Sequence, residues 1–239
     1  MPRLNDRWTV QPHGPLEMVA EGIWSAEGSI AMPLGRFPRR MTVIVLASGR
    51  VAVWSAIPLD DAQMARLDSL GPVCFLIVPN AGHRLDIRAW KARYPEAKVI
   101  APPGARDAVA EAVPVDATDN ILADPGVTLE RVAGTKADEF AMLVSREDGA
   151  TLILNDILAS IRHPQGLGAN IMARLFGFGV KRPRTSRLVR RMYVADGKAV
   201  ARQFRTWAEI EDLRRVIVSH VDIIADAPAE ALRRAAADF

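Results

Sequence analysis

The sequence predicts an α/β protein built on a mixed sheet or on a pair of sheets. Strands alternate with helices near both ends of the chain, and strands follow one another directly in its middle. Residues 73–78 form a continuous apolar run, which is typical of a strand covered on both faces. The composition agrees with a globular protein, since the 239 residues are 49% hydrophobic and 25% charged, and it excludes a disordered or collagen-like chain.

The first half of the chain is predicted to alternate strands and helices. Ser48-Gly49-Arg50 separates two apolar segments and indicates a hairpin. Asp60 and Asp61 provide an N-cap for a helix in which Met64 and Leu67 recur at helical spacing. Strands are predicted at residues 16–24, 41–47, 51–56, 73–78 and 98–101, and further helices at residues 87–94 and 103–113.

The second half begins with consecutive strands and continues with a long helical stretch. Strands are predicted at residues 127–132, 140–145 and 151–154, with Glu147-Asp148-Gly149 as a turn. The helical stretch covers residues 166–213 and is interrupted near residues 177–183 and at Asp196-Gly197. A last strand at residues 216–219 and a helix from Pro228 onward complete the chain.

Polar side chains follow three of the predicted strands. His83 comes shortly after the apolar run, Asp156 ends the third middle strand, and His220 ends the last strand. Ligands of α/β proteins bind beyond the carboxyl ends of strands, so these groups are candidate site residues. Two imidazoles and a carboxylate can hold zinc or iron. The alternative is that the same side chains only cap strand ends by bonding to loop backbone.

Seven short segments spread over nearly the whole chain carry a resemblance to a known family. They are Gly22-Ile23-Trp24, the strand that begins at Met41, Pro79-Asn80 followed by His83, the helix with Trp90, Tyr94-Pro95-Glu96-Ala97, Leu154-Asn155-Asp156 and Ser219-His220. Together they resemble the metallo-β-lactamase fold and, within it, the divergent DUF4336 family. The resemblance implies a single domain, residues 1–239, folded as a four-layer αββα sandwich with two mixed sheets face to face.

The chain departs from the family at most of the metal ligands. Metal-binding members carry Thr-His-x-His-x-Asp-His after the strand that corresponds to residues 73–78, and Asn80 and Gly82 stand here in place of the first two histidines. Gly134-Thr135 replaces the later Gly-His pair. The resemblance keeps Asp156 and His220 at ligand positions, with His83 displaced by one residue. It therefore implies either one zinc or iron ion, held by His83, Asp156 and His220 with Asp86 as a further candidate, or a metal-free site.

The positive charge of the chain is concentrated in one segment. From Arg162 to Arg205 there are eleven Lys or Arg residues and a single acidic residue, Asp196, although the whole chain has a net charge of only +3. Apolar residues at helical spacing predict a basic amphipathic helical insertion at residues 162–213, which borders the site. The alternative is a solvated insertion that only packs on the domain. The candidate anion-binding residues are Lys181, Arg182, Arg184, Arg187, Arg190 and Arg191.

Three functional hypotheses follow. The first is a mononuclear hydrolase of an ester, lactone or phosphoester, with His83, Asp156 and His220 as its catalytic residues. The second is a non-catalytic protein whose basic segment contacts an anionic ligand, a membrane surface or a partner. In the third, His220 acts without metal as a general base oriented by Asp156 or Asp222.

The sequence also bears on the localisation and the binding partners of the protein. The chain begins without the apolar core of a signal peptide, and no run of about 20 apolar residues is present, which predicts a cytoplasmic protein. A small-molecule or anionic ligand is expected. Nucleic acid is not expected as a partner, because no nucleic-acid-binding module or aromatic stacking platform is visible in the sequence.

Overall fold

The chain forms two β-sheets in a computed structural model that describes residues 4–32, 35–136, 139–159, 183–220 and 222–239. The first sheet has six strands in the order β1-β2-β3-β4-β5-β6 and the second has four in the order β10-β9-β8-β7. The strands are β1 Glu17–Ala20, β2 Ile23–Met32, β3 Gly35–Val45, β4 Val51–Trp54, β5 Val73–Ile77, β6 Lys98–Ile100, β7 Val127–Arg131, β8 Phe140–Arg146, β9 Gly149–Leu154 and β10 Leu213–Val218.

Helices cover the outer face of each sheet. They are α1 Asp61–Asp68, α2 Ile87–Arg93, α3 Arg106–Ala110, α4 Arg187–Tyr193, α5 Gly197–Trp207 and α6 Pro228–Ala236. Met64 of α1 and Trp90 of α2 pack on the first sheet, while Phe204 of α5 and Leu232 of α6 pack on the second. A third apolar cluster joins residues of both sheets, among them Trp54, Phe75, Met142 and Ile153. These layers confirm the predicted αββα sandwich.

The carboxyl ends of several strands lie together at one edge of the sandwich. Strands β4, β5 and β6 are mutually parallel in the first sheet, and β9 and β10 are parallel in the second. Two backbone hydrogen bonds join the sheets at this edge, from Arg40 N to Ser219 O at 2.8 Å and from Phe140 N to Pro79 O at 2.9 Å. Residues that follow these strands are therefore brought close together, which creates the site.

Local signals in the first half of the chain are confirmed. The hairpin at Ser48-Gly49-Arg50 joins the antiparallel strands β3 and β4, and Gly49 has a φ of 76°, a value that favours glycine. The side chain of Asp60 accepts a hydrogen bond from Gln63 N at 2.9 Å and so caps α1. Met64 and Leu67 on this helix are fully buried.

Two predicted boundaries are wrong. The strand predicted at residues 16–24 is interrupted by a tight turn, because Gly22 adopts a φ of 65° and reverses the chain between β1 and β2. Strand β3 also begins at Gly35 rather than at residue 41, since its polar residues pair across the long hairpin with β2. Pro38 and the arginines at positions 36, 39 and 40 concealed this extension.

The predicted helical stretch ends earlier than expected. Helix α5 ends at Trp207, and β10 begins at Leu213 instead of residue 216, after Asp212 adopts a φ of 55°. Residues 162–182 of the predicted insertion lie outside the described residues, whereas α4 and α5 confirm its helical character at residues 187–193 and 197–207. Among the described helices, none is long and apolar enough to cross a membrane.

Candidate metal centre

Residues that follow four strand ends meet at the edge where the two sheets are joined. Ser55 follows β4, and His83 ends a short 3₁₀ turn, Ala81–His83, that comes after β5. Asp156 follows β9 and His220 follows β10. One ligand atom from each of His83, Asp156 and His220 can be chosen such that all three lie within 4.8 Å of one another. The three residues proposed from the sequence are thus neighbours in space.

The imidazole of His220 is held between a carbonyl and a carboxylate. Its Nδ1 lies 2.9 Å from the Pro38 carbonyl oxygen, and its Nε2 lies 2.7 Å from Oδ1 of Asp156. A carbonyl oxygen can only accept, so Nδ1 carries the hydrogen and Nε2 of the neutral ring presents a lone pair. A lone pair facing a carboxylate oxygen at this distance requires a positive charge between them, which a proton or a metal ion can provide.

The imidazole of His83 approaches the same carboxylate oxygen from the other side. Its Nε2 lies 3.4 Å from Oδ1 of Asp156, and its Nδ1 lies 2.6 Å from the Ser55 hydroxyl oxygen. The centroids of the two imidazole rings are 5.5 Å apart. Ser55 is nearly fully buried and has a φ of 53°, an uncommon conformation for serine that brings its hydroxyl to this ring.

This donor set has the chemistry of a metal site. Zinc and iron both accept two imidazole nitrogens and a carboxylate oxygen as ligands. Histidines that bind metals through one ring nitrogen donate the hydrogen on the other to a carbonyl, carboxylate or comparable acceptor. Pro38 fills that outer position for His220, and Ser55 can fill it for His83. The residues present therefore fit a single ion.

The second oxygen of the carboxylate is fixed by an amide. Nδ2 of Asn80 donates to Oδ2 of Asp156 at 2.8 Å and to Oε2 of Glu139 at 3.2 Å. The Asn80 amide is itself oriented by Gly82, whose backbone N–H donates to its Oδ1 at 2.8 Å. Asn80 thus orients Asp156 so that Oδ1 faces the two imidazoles.

Burial and mutual charge shift the pKa values of this cluster. Burial would raise the pKa of Asp156, but the two neighbouring imidazoles hold it well below its usual value. Burial would lower the pKa of His220, but the hydrogen bond and charge of Asp156 raise it. Burial and the charge of Asp156 together raise the pKa of Glu139 to about 8, against the effect of the N–H groups that donate to it.

A wall formed largely by α4 stands opposite these side chains. Val189, Met192 and Tyr193 line a cavity of about 270 Å³ together with the site residues. A Cβ atom at Gly82 would stand 3.8 Å from Oδ2 of Asp156 and 4.0 Å from the Tyr193 phenol oxygen. Burial raises the pKa of Tyr193, and the charges of Asp156 and Glu139 raise it further, which keeps its phenol protonated at neutral pH.

Asp86 lies outside the three-residue group. Its Oδ2 accepts from the Arg39 guanidinium and its Oδ1 from Nδ2 of Asn5 at 2.7 Å. Both of its oxygens are therefore engaged elsewhere, and its role as a ligand stays a prediction without geometric support. The carboxylate that contacts His220 is Asp156 rather than Asp222.

The predicted anion-binding residues fall into three groups. The guanidinium carbon of Arg190 lies 5.2 Å from the centroid of the Phe239 ring, and Arg190 also donates to the Asp238 carbonyl. Arg184 lies 4.0 Å from the Asp238 carboxylate. Arg187 and Arg191 are exposed on α4. Lys181 and Arg182 lie outside the described residues, and anion binding by the set stays a prediction.

Four residues of the site were not proposed from the sequence as functional groups: Ser55, Asn80, Glu139 and Tyr193. Ser55 could have been found by the rule that identified Asp156 and His220, because it directly follows a buried strand. Glu139 precedes β8, which is antiparallel to β9, so its position at the same edge depends on strand pairing. Tyr193 depends on how α4 packs, for which the sequence carries no local signal.

Solved structures with the same architecture are metallo-β-lactamases. The enzyme from Erythrobacter litoralis is 15% identical, with a TM-score of 0.61 over 94% of this chain and 92% of that one. FIM-1 from Pseudomonas aeruginosa, in its mono-zinc form, is 10% identical, with a TM-score of 0.62 over 94% and 96% of the two chains. DIM-1 exposed to ceftazidime is 14% identical, with a TM-score of 0.64 over 96% and 99%.

No family model matches the sequence, and no curated protein matches it. Identities of this size show similarity of fold and carry no information about substrate. The structural likeness covers 92% and 99% of the chains of the Erythrobacter litoralis and DIM-1 structures. The chain therefore has the metallo-β-lactamase fold.

Proposed function

We propose that this protein is a hydrolase that binds one metal ion through His83, Asp156 and His220 and cleaves an ester, lactone or phosphoester. The observation that carries the proposal is the convergence of two Nε2 atoms on Oδ1 of Asp156 while both Nδ1 atoms are engaged elsewhere. We also propose that the chain represents the divergent DUF4336 branch, with a site reduced from two metal ions to one, on the basis of the residues at positions 80, 82, 83, 156 and 220.

A bound zinc or iron ion would supply a Lewis acid that polarises the scissile carbonyl or phosphoryl group and lowers the pKa of water. The protein contributes the orientation of both imidazoles through Pro38 and Ser55, and Asn80 fixes the carboxylate. The Tyr193 phenol, which lines the cavity, can donate its proton to the oxygen that gains charge as the bond breaks. Val189 and Met192 of α4 line the cavity beside this phenol.

The test of the metal site is elemental analysis of untagged protein after growth with zinc, iron and manganese. We expect about one ion per chain, and loss of that ion in the double variant His83→Ala/His220→Ala. His13→Ala provides a matched control, because His13 bonds to Gly14 and lies near Asp60, away from the cluster, and it should retain the ion. A metal content near zero in the parent protein contradicts the proposal.

A second candidate function uses α4 as a contact surface for anionic membranes. Arg187 and Arg191 are exposed one turn apart on this helix, and Met192 is 53% exposed beside them. In this case vesicles that contain phosphatidylserine should bind the protein at low salt and release it at high salt. The triple variant Arg187→Glu/Arg190→Glu/Arg191→Glu should lose the binding, and unchanged binding would eliminate this candidate.

A further inference from the structure

The cavity above the proposed ligands is lined mainly by apolar side chains. It has a volume of about 270 Å³. Seven of its described lining residues are apolar: Ile30 of β2, Phe37 of β3, Ala56 after β4, Leu85 after the 3₁₀ turn, Ala159 beyond β9, and Val189 and Met192 of α4. The lining thus offers dispersion contacts and few hydrogen bonds.

Apart from the Tyr193 phenol, the polar side chains of the lining already have partners. Ser55 contacts His83, and both histidines contact Asp156. The remaining charged group, the Arg39 guanidinium, pairs with the Asp86 carboxylate, whose side chain is fully buried. Among the described residues, the lining therefore presents no cation that lacks a partner.

The arginines of α4 do not contribute to the lining. This helix presents Val189, Met192 and Tyr193 to the cavity, whereas its basic residues lie on other faces. Arg190 instead contacts Phe239 and the Asp238 carbonyl at the carboxyl terminus. A phosphoester with two negative charges would therefore meet the proposed metal ion but, among the described lining residues, no unpaired side-chain cation, so its loss of hydration in the cavity is unfavourable. An uncharged ester avoids that cost.

One feature of the lining indicates an apolar occupant. Met192 is 53% exposed, and it belongs to the small set of large apolar residues described as exposed, with Val10 and Met18. Met18 lies on β1, outside the cavity lining, whereas Met192 lines the cavity. Methionine is flexible and polarizable, so it adapts to alkyl chains of different shape. A ligand with an alkyl chain would cover this side chain.

We propose that the cavity binds the acyl group of an uncharged carboxylic ester or lactone, with its alkyl chain against Phe37, Val189 and Met192. The inference rests on the proposed hydrolase function. It narrows the substrate from an ester, lactone or phosphoester to an ester or a lactone. In the reaction the oxygen of water bonds to the acyl carbon and the acyl C–O bond breaks. One proton of the water passes to the departing alkoxide and the other to solvent, which leaves a carboxylate and an alcohol.

Binding of the acyl chain can be measured without any turnover. Protein with ¹³C-labelled methionine methyl groups is titrated with butanamide and with hexanamide, which are uncharged and resemble the acyl portion. We expect the Met192 methyl resonance to shift while that of Met18 does not. Affinity should rise about fifteenfold between the two amides, since each buried methylene adds about fourfold. If neither amide shifts Met192, or if affinity does not rise with chain length, the inference is wrong whatever the metal content.

Turnover of ester and phosphate substrates provides the second test of the inference. Metal-loaded protein is assayed with p-nitrophenyl acetate, butyrate and hexanoate and with p-nitrophenyl phosphate. We expect kcat/KM to rise with chain length and the phosphate to be the poorest substrate. Met192→Gln should reduce the gain from acetate to hexanoate several-fold, whereas Met18→Gln should leave it unchanged. Faster cleavage of the phosphate than of the hexanoate overturns the inference. Amide binding at Met192 without metal or turnover would instead overturn the hydrolase function and retain the acyl pocket.

Discussion

The two sides of the cavity are built in different ways. The side that carries the proposed ligands consists of residues directly after strand ends, and each side chain is fixed by at least one hydrogen bond. The opposite side consists of α4, a helix of seven residues that is anchored at its two ends. Backbone bonds pair Ala159 with Arg184 before the helix, and Ala195 with Gly134 after it.

This difference separates the groups that would hold a metal ion from the groups that would act on the substrate. The strand-end side is held by the two sheets, so its geometry is set by the core and can position reacting groups. The α4 side depends on a short helix between two anchor points, so its apolar residues can change without disturbing the sheets. We therefore expect substitutions on the first side to affect metal binding, and substitutions on the second to affect turnover and substrate preference.

The largest effect is expected for Asp156→Asn. The substitution preserves the shape of the side chain but removes the negative charge on which both imidazoles converge. Loss of an outer partner alone typically lowers metal affinity 10- to 100-fold, so loss of a direct ligand should cost more than about 100-fold. Competition with a chelator measures this affinity. An unchanged affinity would contradict the role of Asp156 as a metal ligand.

Tyr193→Phe tests whether the α4 side takes part in the chemistry. The variant removes only the phenol hydroxyl, and the ring still lines the cavity. If this hydroxyl donates to the oxygen that gains charge, kcat should fall about 100-fold with metal content unchanged. Single-turnover and steady-state assays with p-nitrophenyl butyrate measure the loss. A rise in KM with kcat retained would limit the role of Tyr193 to substrate binding.

Ser55→Ala distinguishes an orienting hydroxyl from a nucleophile. As an acceptor for Nδ1 of His83, Ser55 should contribute about tenfold to metal affinity, and excess metal should restore turnover. A nucleophile would behave differently, because no metal concentration could replace its oxygen. Turnover measured across a metal titration separates the two roles. Persistent inactivity at saturating metal would contradict the orienting role.

The sequence predicted the strand-end side of the cavity better than the helical side. His83, Asp156 and His220 follow apolar strands, and the carboxyl ends of parallel strands meet at one edge, so their proximity could be inferred. Glu139 could not be placed, because it precedes a strand and reaches the edge only through antiparallel pairing. Tyr193 and Met192 could not be placed either, since the rotation of an amphipathic helix is set by tertiary packing.

The charge of the basic segment illustrates the same limit. The sequence correctly predicted a helix rich in arginine between the strands that end near Asp156 and His220. It could not indicate that Val189 and Met192 would face the cavity while Arg190 would contact Phe239. Composition locates charge along the chain, but only packing decides which face of a helix presents it to a site.

The smallest effect on the site is expected for Asp124→Asn, at the opposite edge of the sandwich. Oδ2 of Asp124 accepts from Ala47 N at 2.7 Å, and Oδ1 accepts from Gly126 N at 2.8 Å, with Arg146 nearby. The asparagine would turn an N–H₂ group toward one of these donors. Stability at pH 7 should therefore fall by about 1–3 kcal/mol, while metal affinity should not change.

The pH dependence of this loss follows from the pKa of Asp124. Burial would raise that pKa, but the two backbone N–H groups and Arg146 lower it in the folded protein. A carboxylate with a lowered folded pKa stabilises the protein above its unfolded pKa and ceases to do so as the pH falls through the folded value. Urea unfolding of both proteins should thus differ at pH 7 and converge in acid. A difference that persists at low pH would mean that Asp124 acts through packing rather than charge.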